Sequence, residues 1–327
     1  MRVAVLGGGR SSEHHVSLKS ASAVAAGAVR AGHEVCSITI DRRGRWWDGQ
    51  AEVAIRPGGG VQGADVVVPV VMGAFGEDGT VQGLLETADV AYVGSGVTAS
   101  AVCMNKVAFK RLLAAYGLPQ APCAVVRDGD DPRQLGVDLP CFVKPASTGS
   151  SIGVTKVTER DRLEDALRLA HAHSPEAVVE PAVAGVEVEC AVVGNRTLHA
   201  FPAGEVVTDG DWQSYEVKYG EGRCGLVIPV RTTDAMRERI QSLACRTYRA
   251  LGCAGLARVD LFLTDGGPLV NEVNTMPGFG AASSFPELAR AAGTSYEELI
   301  DRLLALALER HARRRAPGAT RSVEPRP

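Results

Sequence analysis

Three groups of residues in this chain have types and spacings that could do chemistry. The first is the run 144–153, in which Lys144 closes an apolar strand and a loop of small residues, Ser147, Thr148, Gly149, Ser150, Ser151 and Gly153, leads into another strand. Backbone N–H groups and hydroxyls in such a loop can surround phosphate oxygens, and the lysine adds a positive charge. The lysine precedes the loop, so this is not the Gly-x-x-x-x-Gly-Lys-Ser/Thr arrangement; the alternative is a plain hairpin with a surface lysine. The second group is Arg258 and Asp260 together with Glu272 and Asn274, on two apolar strands. Alternate strand residues share a face, so Asp260, Glu272 and Asn274 can converge as hard oxygen ligands of the kind that hold Mg²⁺ beside nucleotide phosphates. Arg258 then stands where it could neutralise a developing oxyanion; the alternative is a structural ion pair on a half-exposed sheet. The third group is Gly7-Gly8-Gly9 followed by Ser11, Ser12 and Glu13. Glu13 at the mouth of a helix either offsets the helix macrodipole or holds a substrate ammonium, and the segment alone does not choose. The glycines lack the Gly-x-Gly-x-x-Gly spacing of a dinucleotide turn.

These groups need elements to position them. Strands are expected at Arg2–Leu6, Glu34–Ile40 and Asp65–Val71, with a helix from Ser17 to Ala31, and this alternation predicts a parallel doubly wound sheet. A helix over Asn105–Tyr116 ends at Gly117-Leu118-Pro119. Beyond it the pattern gives strands at Pro140–Pro145, Gly153–Val157 and Ala177–Glu180 with a helix over Asp161–His171. Further strands are expected at Val186–Val193, Ala257–Leu263 and Leu269–Val273, with helices near Thr233–Leu251 and Ser295–Leu308. The Arg- and Pro-rich end from Ala312 has no periodicity and reads as a disordered tail.

Composition narrows the classes. The 327 residues are 45% hydrophobic and 22% charged with a net charge of −3, the balance of a globular chain of two or three domains without the basic field that nucleic acid or an anionic membrane would require. No apolar run reaches the length of a membrane span, and the first residues do not form a signal peptide, so a cytoplasmic protein is expected. The eight cysteines form no Cys-x-x-Cys pair and read as small hydrophobes in a reducing compartment.

A lysine loop, an acid pair on strands and an anchoring arginine add up to nucleotide-dependent phosphoryl transfer, in an order unlike P-loop or protein-kinase enzymes. The recipient of the phosphate is not legible from these residues alone. Here the sequence resembles the D-alanine–D-alanine ligase family of ATP-grasp enzymes. The resemblance rests on motifs at 8–18 (Gly-Gly-Arg-Ser-Ser-Glu-His-His-Val-Ser-Leu), 76–83 (Gly-Glu-Asp-Gly-Thr-Val-Gln-Gly), 92–96 and 104–106 (Met-Asn-Lys). It continues at 149–153, 215–219 (Tyr-Glu-Val-Lys-Tyr), 257–260 and 271–279 (Asn-Glu-Val-Asn-Thr-Met-Pro-Gly-Phe), in family order.

The resemblance implies an α/β, three-domain ATP-grasp fold: a Rossmann-like parallel-sheet domain over 1–107, a small central domain over 108–184 and a C-terminal domain over 185–311, with the tail over 312–327. It implies a ligase that joins two D-amino acids through an acyl phosphate for peptidoglycan precursors, using ATP and two Mg²⁺ ions (Mn²⁺ being able to substitute), and acting as a homodimer. By position, Lys106 and Lys144 would touch ATP phosphates under the loop of Ser147, Ser150 and Ser151, with Glu180 and Glu187 on the adenine and ribose side. Asp260, Glu272 and Asn274 would hold the metal. Glu13 would bind the first ammonium, linked to Ser150 and Tyr219. Arg258 and the Gly278 amide would stabilise the oxyanion, Ser283 would bind the second carboxylate, and Lys218 with Tyr219 would close over the site. Three positions depart from the family: Met72 stands for a histidine expected to face substrate, Ser284 for a larger apolar residue at the second-substrate seat, and Asn105 for an aspartate. A ligase of specialised metabolism joining another D-amino acid or small amine is the alternative that Met72 and Ser284 raise.

Overall fold

The computed structural model describes residues 1–131, 135–208 and 224–316. The motif at 215–219, and with it Lys218 and Tyr219, lies outside the described residues, as does the chain beyond 316.

Three sheets organise the described residues. The first has β1 (Arg2–Gly8) at its centre, paired in parallel with β2 (Glu34–Ile40) on one side and β5 (Val66–Pro69) on the other. An antiparallel pair, β3 (Trp46–Asp48) and β4 (Ala51–Glu52), extends one edge, and β6 (Ala91–Tyr92) forms the other. Successive strands leave β1 in opposite directions, so a crevice opens beyond its carboxyl end, where open α/β sheets bind ligands. The run 3–6 is fully buried, which explains its uninterrupted apolar sequence. The helix α1 (His14–Arg30) starts three residues earlier than its periodicity indicates.

The second sheet, in order β7 (Ala124–Arg127), β10 (Glu176–Pro181), β8 (Cys141–Pro145) and β9 (Thr155–Val157), is antiparallel. The helix α5 (Leu163–His171) covers it with Leu163, Ala166, Leu167 and Ala170, the spacing of a single helical face.

The third sheet runs β14 (Cys224–Val227), β13 (Gly204–Thr208), β11 (Val186–Gly194), β15 (Gly255–Thr264) and β16 (Gly267–Asn274), with β12 (Leu198–Ala200) beside β11. The helix α6 (Asp234–Ala250) seals one face through Ile240, Leu243, Ala244 and Tyr248. On the other face α7 (Ser284–Ala291) and α8 (Tyr296–Arg315) merge the third sheet's core with the first: Ala191, Val193, Phe285 and Leu288 belong to the same cluster as Val3, Val5 and Val24. Contact is close there, since a Cβ on Gly27 of α1 would stand 2.6 Å from Ile300 of α8. Helix α8 has a capping box at Ser295 and Glu298 and runs to Arg315, so the first residues of the expected tail are helical. Arg310 holds the end of α8 to the first sheet by donating to the carbonyls of Gly94 and Tyr92.

Candidate active site

The site begins where β1 ends. Gly8 and Gly9 take φ of +94° and +100°, a region open to glycine, and turn the chain so that Glu13 becomes the N-cap of α1. Its carboxylate makes no capping hydrogen bond and is 8% exposed. Instead Oε2 lies against Gly73, where a Cβ would stand only 2.6 Å away. A carboxylate turned into a cavity rather than onto the helix amides favours a ligand role over a dipole role. The Ser11 hydroxyl donates to the Met72 carbonyl at 2.7 Å and steadies the turn.

The second part of the site is built on α4 (Lys106–Ala115), β8 and β10. Asn105 is the N-cap of α4, accepting from the Ala108 amide at 2.9 Å, a role an aspartate fills equally well. Its side-chain amide also donates to Ser147 Oγ at 3.2 Å. Lys106 Nζ donates to the Thr148 carbonyl at 2.5 Å, which ties the helix to the loop of small residues. Ser150 and Ser151 have φ of +52° and +58°, a left-handed run that leaves the loop's backbone strained. Behind the loop the Glu180 carboxylate lies between two lysines, 2.5 Å from Lys110 Nζ and 2.6 Å from Lys144 Nζ. Burial alone would raise Glu180, yet Lys144 and Lys110 outweigh it and bring the carboxyl down to about 2. Lys144 is raised in turn, Glu180 outweighing the desolvation that works against its charge.

The third part is the β15–β16 pair, whose register sets Asp260 opposite Glu272 and Arg258 opposite Asn274. Arg258 grips both oxygens of Asp260 at 2.7 Å, stands 3.5 Å from Glu189 on β11, and donates from Nη1 to Ser284 Oγ at 3.2 Å. Asn274 donates its amide to Asp260 Oδ2 at 2.8 Å. Burial is the main reason Asp260 is raised to about 7; Arg258 acts against it, while Glu189 and Glu272 add to the rise. Carboxylates here outnumber the one guanidinium, so the cluster is short of positive charge. Two carboxylates and an amide are a donor set that fits a hard divalent cation. Ser283, the N-cap of α7, turns its Oγ toward Gly278 and Gly280.

Two cavities meet among these residues. One of about 400 Å³ lies between the second and third sheets and reaches from Lys144 past Glu187 to Arg231. The other, about 70 Å³, holds Glu13 and Glu77 at one side and Asn274 at the other. Lys106, Lys144, Ser150 and Glu272 line both. The structure thus brings together Glu13, Lys106, Lys144, Ser150, Ser151, Glu180, Glu187, Asp260, Glu272 and Asn274 around the two cavities, with Arg258 bonded to Asp260 and Ser284. Met72 is not among them. Its side chain is 3% exposed and packs into the core with Val70, Met276 and Phe279, leaving only its carbonyl toward Ser11.

Three residues were missed by sequence reasoning. Lys110 follows Lys106 by one helical turn, and Glu189 follows Glu187 on the same strand face, so their spacing was a usable signal. Glu77 lies in the recognised Gly-Glu-Asp-Gly motif, but nothing in its spacing points to its contacts.

Comparison with known proteins agrees with this geometry. The family models described as D-ala D-ala ligase N-terminus and C-terminus match residues 2–60 with 55–95, and 112–305. A D-alanine–D-alanine ligase of Deinococcus radiodurans is 42% identical, with 94% of this chain and 98% of that protein covered. D-alanine–D-alanine ligase A of Escherichia coli K12 is 38% identical, covering 95% and 97%. Among solved structures, the D-alanine–D-alanine ligase from Coxiella burnetii superposes with a TM-score of 0.87 at 31% identity over 96% of this chain and 95% of that one. The VanG D-Ala:D-Ser ligase from Enterococcus faecalis superposes with a TM-score of 0.85 at 32% identity, covering 94% and 99%. Near-complete coverage in sequence and in structure places the chain in the D-alanine–D-alanine ligase family, with its ATP-grasp fold.

Proposed function

We propose that the chain joins two molecules of D-alanine into D-alanyl-D-alanine with consumption of ATP, supplying a peptidoglycan precursor in the cytoplasm. The observation that carries this reading is the junction of the two cavities at Lys106, Lys144, Ser150 and Glu272. A nucleotide in the larger cavity and an amino acid held at Glu13 in the smaller one would bring a terminal phosphate and a carboxylate to that junction. The names and coverage of the relatives support D-alanine as the substrate. Met72, one of the two departures that raised another acceptor, has its side chain in the core, which weakens the case for a specialised substrate.

In this reading Lys106 and Lys144 hold phosphate oxygens, and the loop of Ser147, Ser150 and Ser151 closes over them. Glu187 meets the ribose, and Glu180, on the adenine side, pairs with Lys144. Asp260, Glu272 and Asn274 would hold two Mg²⁺ ions, which supply charge neutralisation for the phosphates when bound. Glu13 fixes the first ammonium so that its carboxylate can attack the terminal phosphate and form an acyl phosphate. The second amino acid, its carboxylate at Ser283 and Ser284, then attacks the acyl carbon with a neutral amine, and phosphate leaves. Arg258 and the Gly278 amide receive the charge that collects on the tetrahedral oxygen. Lys218 and Tyr219 would shut out water, which protects the acyl phosphate. A homodimer is proposed on the same family grounds, and light scattering checks it.

The test is ADP release with Mg-ATP and D-alanine, L-alanine or D-serine, with products identified by mass spectrometry. Robust turnover and a D-alanyl-D-alanine product are expected with D-alanine alone. Turnover only with another amino acid or a mixed pair would move the substrate and leave the chemistry.

A further inference from the structure

Glu77 has no role in the ligation described above, yet it holds a singular position. It sits in a tight turn whose shape is fixed independently of it. Asp78 accepts from the amides of Phe75 and Thr80, and Gln82 donates to the Gly76 carbonyl at 2.7 Å. Gly76 packs so closely that a Cβ there would stand 2.1 Å from the Val71 carbonyl oxygen. From this turn the Glu77 carboxylate reaches in two directions. Oε2 accepts from the Gly73 amide at 2.7 Å, and Oε1 accepts from the Met276 amide at 3.3 Å.

Each partner leads to one substrate. Gly73, at φ +72°, is the residue against which Glu13 Oε2 rests, and the absence of a Cβ there makes that approach possible. Met276 lies two residues before Gly278, in the segment that carries the oxyanion amide. Glu77 therefore links the seat of the first ammonium to the loop after β16 that would receive the tetrahedral oxygen, across 199 residues of chain. The placement runs against its solvation: burial first, then the charge of Glu13, push Glu77 up to about 8, while the two amides and Arg258 pull the other way. Cys103 also faces it, and Lys106 lines the same cavity.

We infer that Glu77 is a positioning residue for the ligation, holding Glu13's support and the Gly278 segment at a fixed separation through the amides of Gly73 and Met276. This rests on the roles given above to Glu13 and Gly278. A carboxylate accepts from both amides, whereas a glutamine at this position would turn its own NH₂ toward one of them. In Glu77→Gln the two segments lose their common tie, and misplacement of the reacting groups by about 1 Å costs on the order of 10²-fold in rate.

The experiment compares the wild-type chain with Glu77→Gln and Glu77→Asp, the latter keeping the charge but too short to span both amides. Steady-state kinetics with Mg-ATP and D-alanine are read beside hydrogen exchange of peptides spanning 72–78 and 275–279. The expected result is a fall in kcat on the order of 10²-fold in both variants. The KM for ATP should stay unchanged, and exchange should quicken in those two peptides together. A variant with wild-type kcat per folded enzyme and unchanged exchange overturns the inference, as does loss of thermal stability with an unchanged kcat. Absence of D-alanine turnover in the wild-type chain would instead overturn the substrate assignment; exchange in the two peptides still decides for or against the tie.

Discussion

Two acids on opposite sides of the same site behave in opposite ways. Glu180, on the nucleotide side, lies between Lys110 and Lys144 and is held down at about 2. Glu77, on the amino-acid side, faces Glu13 and is pushed up to about 8. Desolvation is the largest influence on both, so the cost of burial does not separate them; the partner does. Around Glu180 the cations are already in place, with Lys144 raised and Lys106 lining the same cavity. The charge beside Glu77 is a second carboxylate, Glu13, which a substrate ammonium would offset in the proposed reading. The difference is local to the two acids: lysines beside Glu180 that would meet phosphate, and a paired carboxylate beside Glu77 that would meet an ammonium.

The largest expected effect comes from Glu272, an acid that lines both cavities. Glu272→Gln should lower turnover by about 10³-fold or more through weakened metal and phosphate binding. Near-normal activity at ordinary Mg²⁺ would remove Glu272 from the metal set. The next tests the nucleotide half. Lys110→Met breaks a buried pair and should cost about 3 kcal/mol of stability in a denaturant titration. Adding Glu180→Gln should recover much of that loss, and an unchanged single variant would show that Lys144 alone balances Glu180. Met72→His tests the boundary of the site. A histidine at this core position has no polar partner among Val70, Met276 and Phe279, so about 1–3 kcal/mol of stability should be lost without a gain in D-alanine ligation. This reverses what the family pattern alone suggests, a gain in ligation on restoring the histidine.

The comparison is sharpened last by the pH dependence of stability, where the two acids have opposite signs. Glu180 has a folded value below its ordinary 4.5, so its contribution is present above about 4.5 and fades as pH falls toward 2. Glu77 has a folded value above 4.5, so its contribution is present below that value and is lost as pH rises toward 8. In thermal melts of the empty protein, Glu77→Gln should therefore flatten the decline between about pH 5 and 8 and leave the acid limb unchanged. An unaltered slope would show that Glu77 ionises without penalty.

Much of this was legible in the sequence, and the exceptions share a cause. Period and burial gave β1, β2 and the β15–β16 pair, and alternation on those last two strands placed Asp260, Glu272 and Asn274 together. Short elements were missed, among them α2 (Thr80–Thr87), α3 (Val97–Met104) and α7, because eight residues hold too few repeats to establish a period. Met72 was misread because position in a motif says nothing of side-chain direction, and here the next residue, Gly73, faces the site in its place. Glu77 was missed because its two amide partners are set by tertiary contact, one of them 199 residues away.

The most direct test of the central claim follows an oxygen atom. D-alanine labelled with ¹⁸O in its carboxylate is turned over with Mg-ATP, and the released inorganic phosphate is analysed by mass spectrometry. If the carboxylate held near Glu13 attacks the terminal phosphate and the second amine then displaces it, one labelled oxygen leaves with each phosphate as the dipeptide forms. Unlabelled phosphate accompanying dipeptide, or phosphate release without dipeptide, would contradict the account.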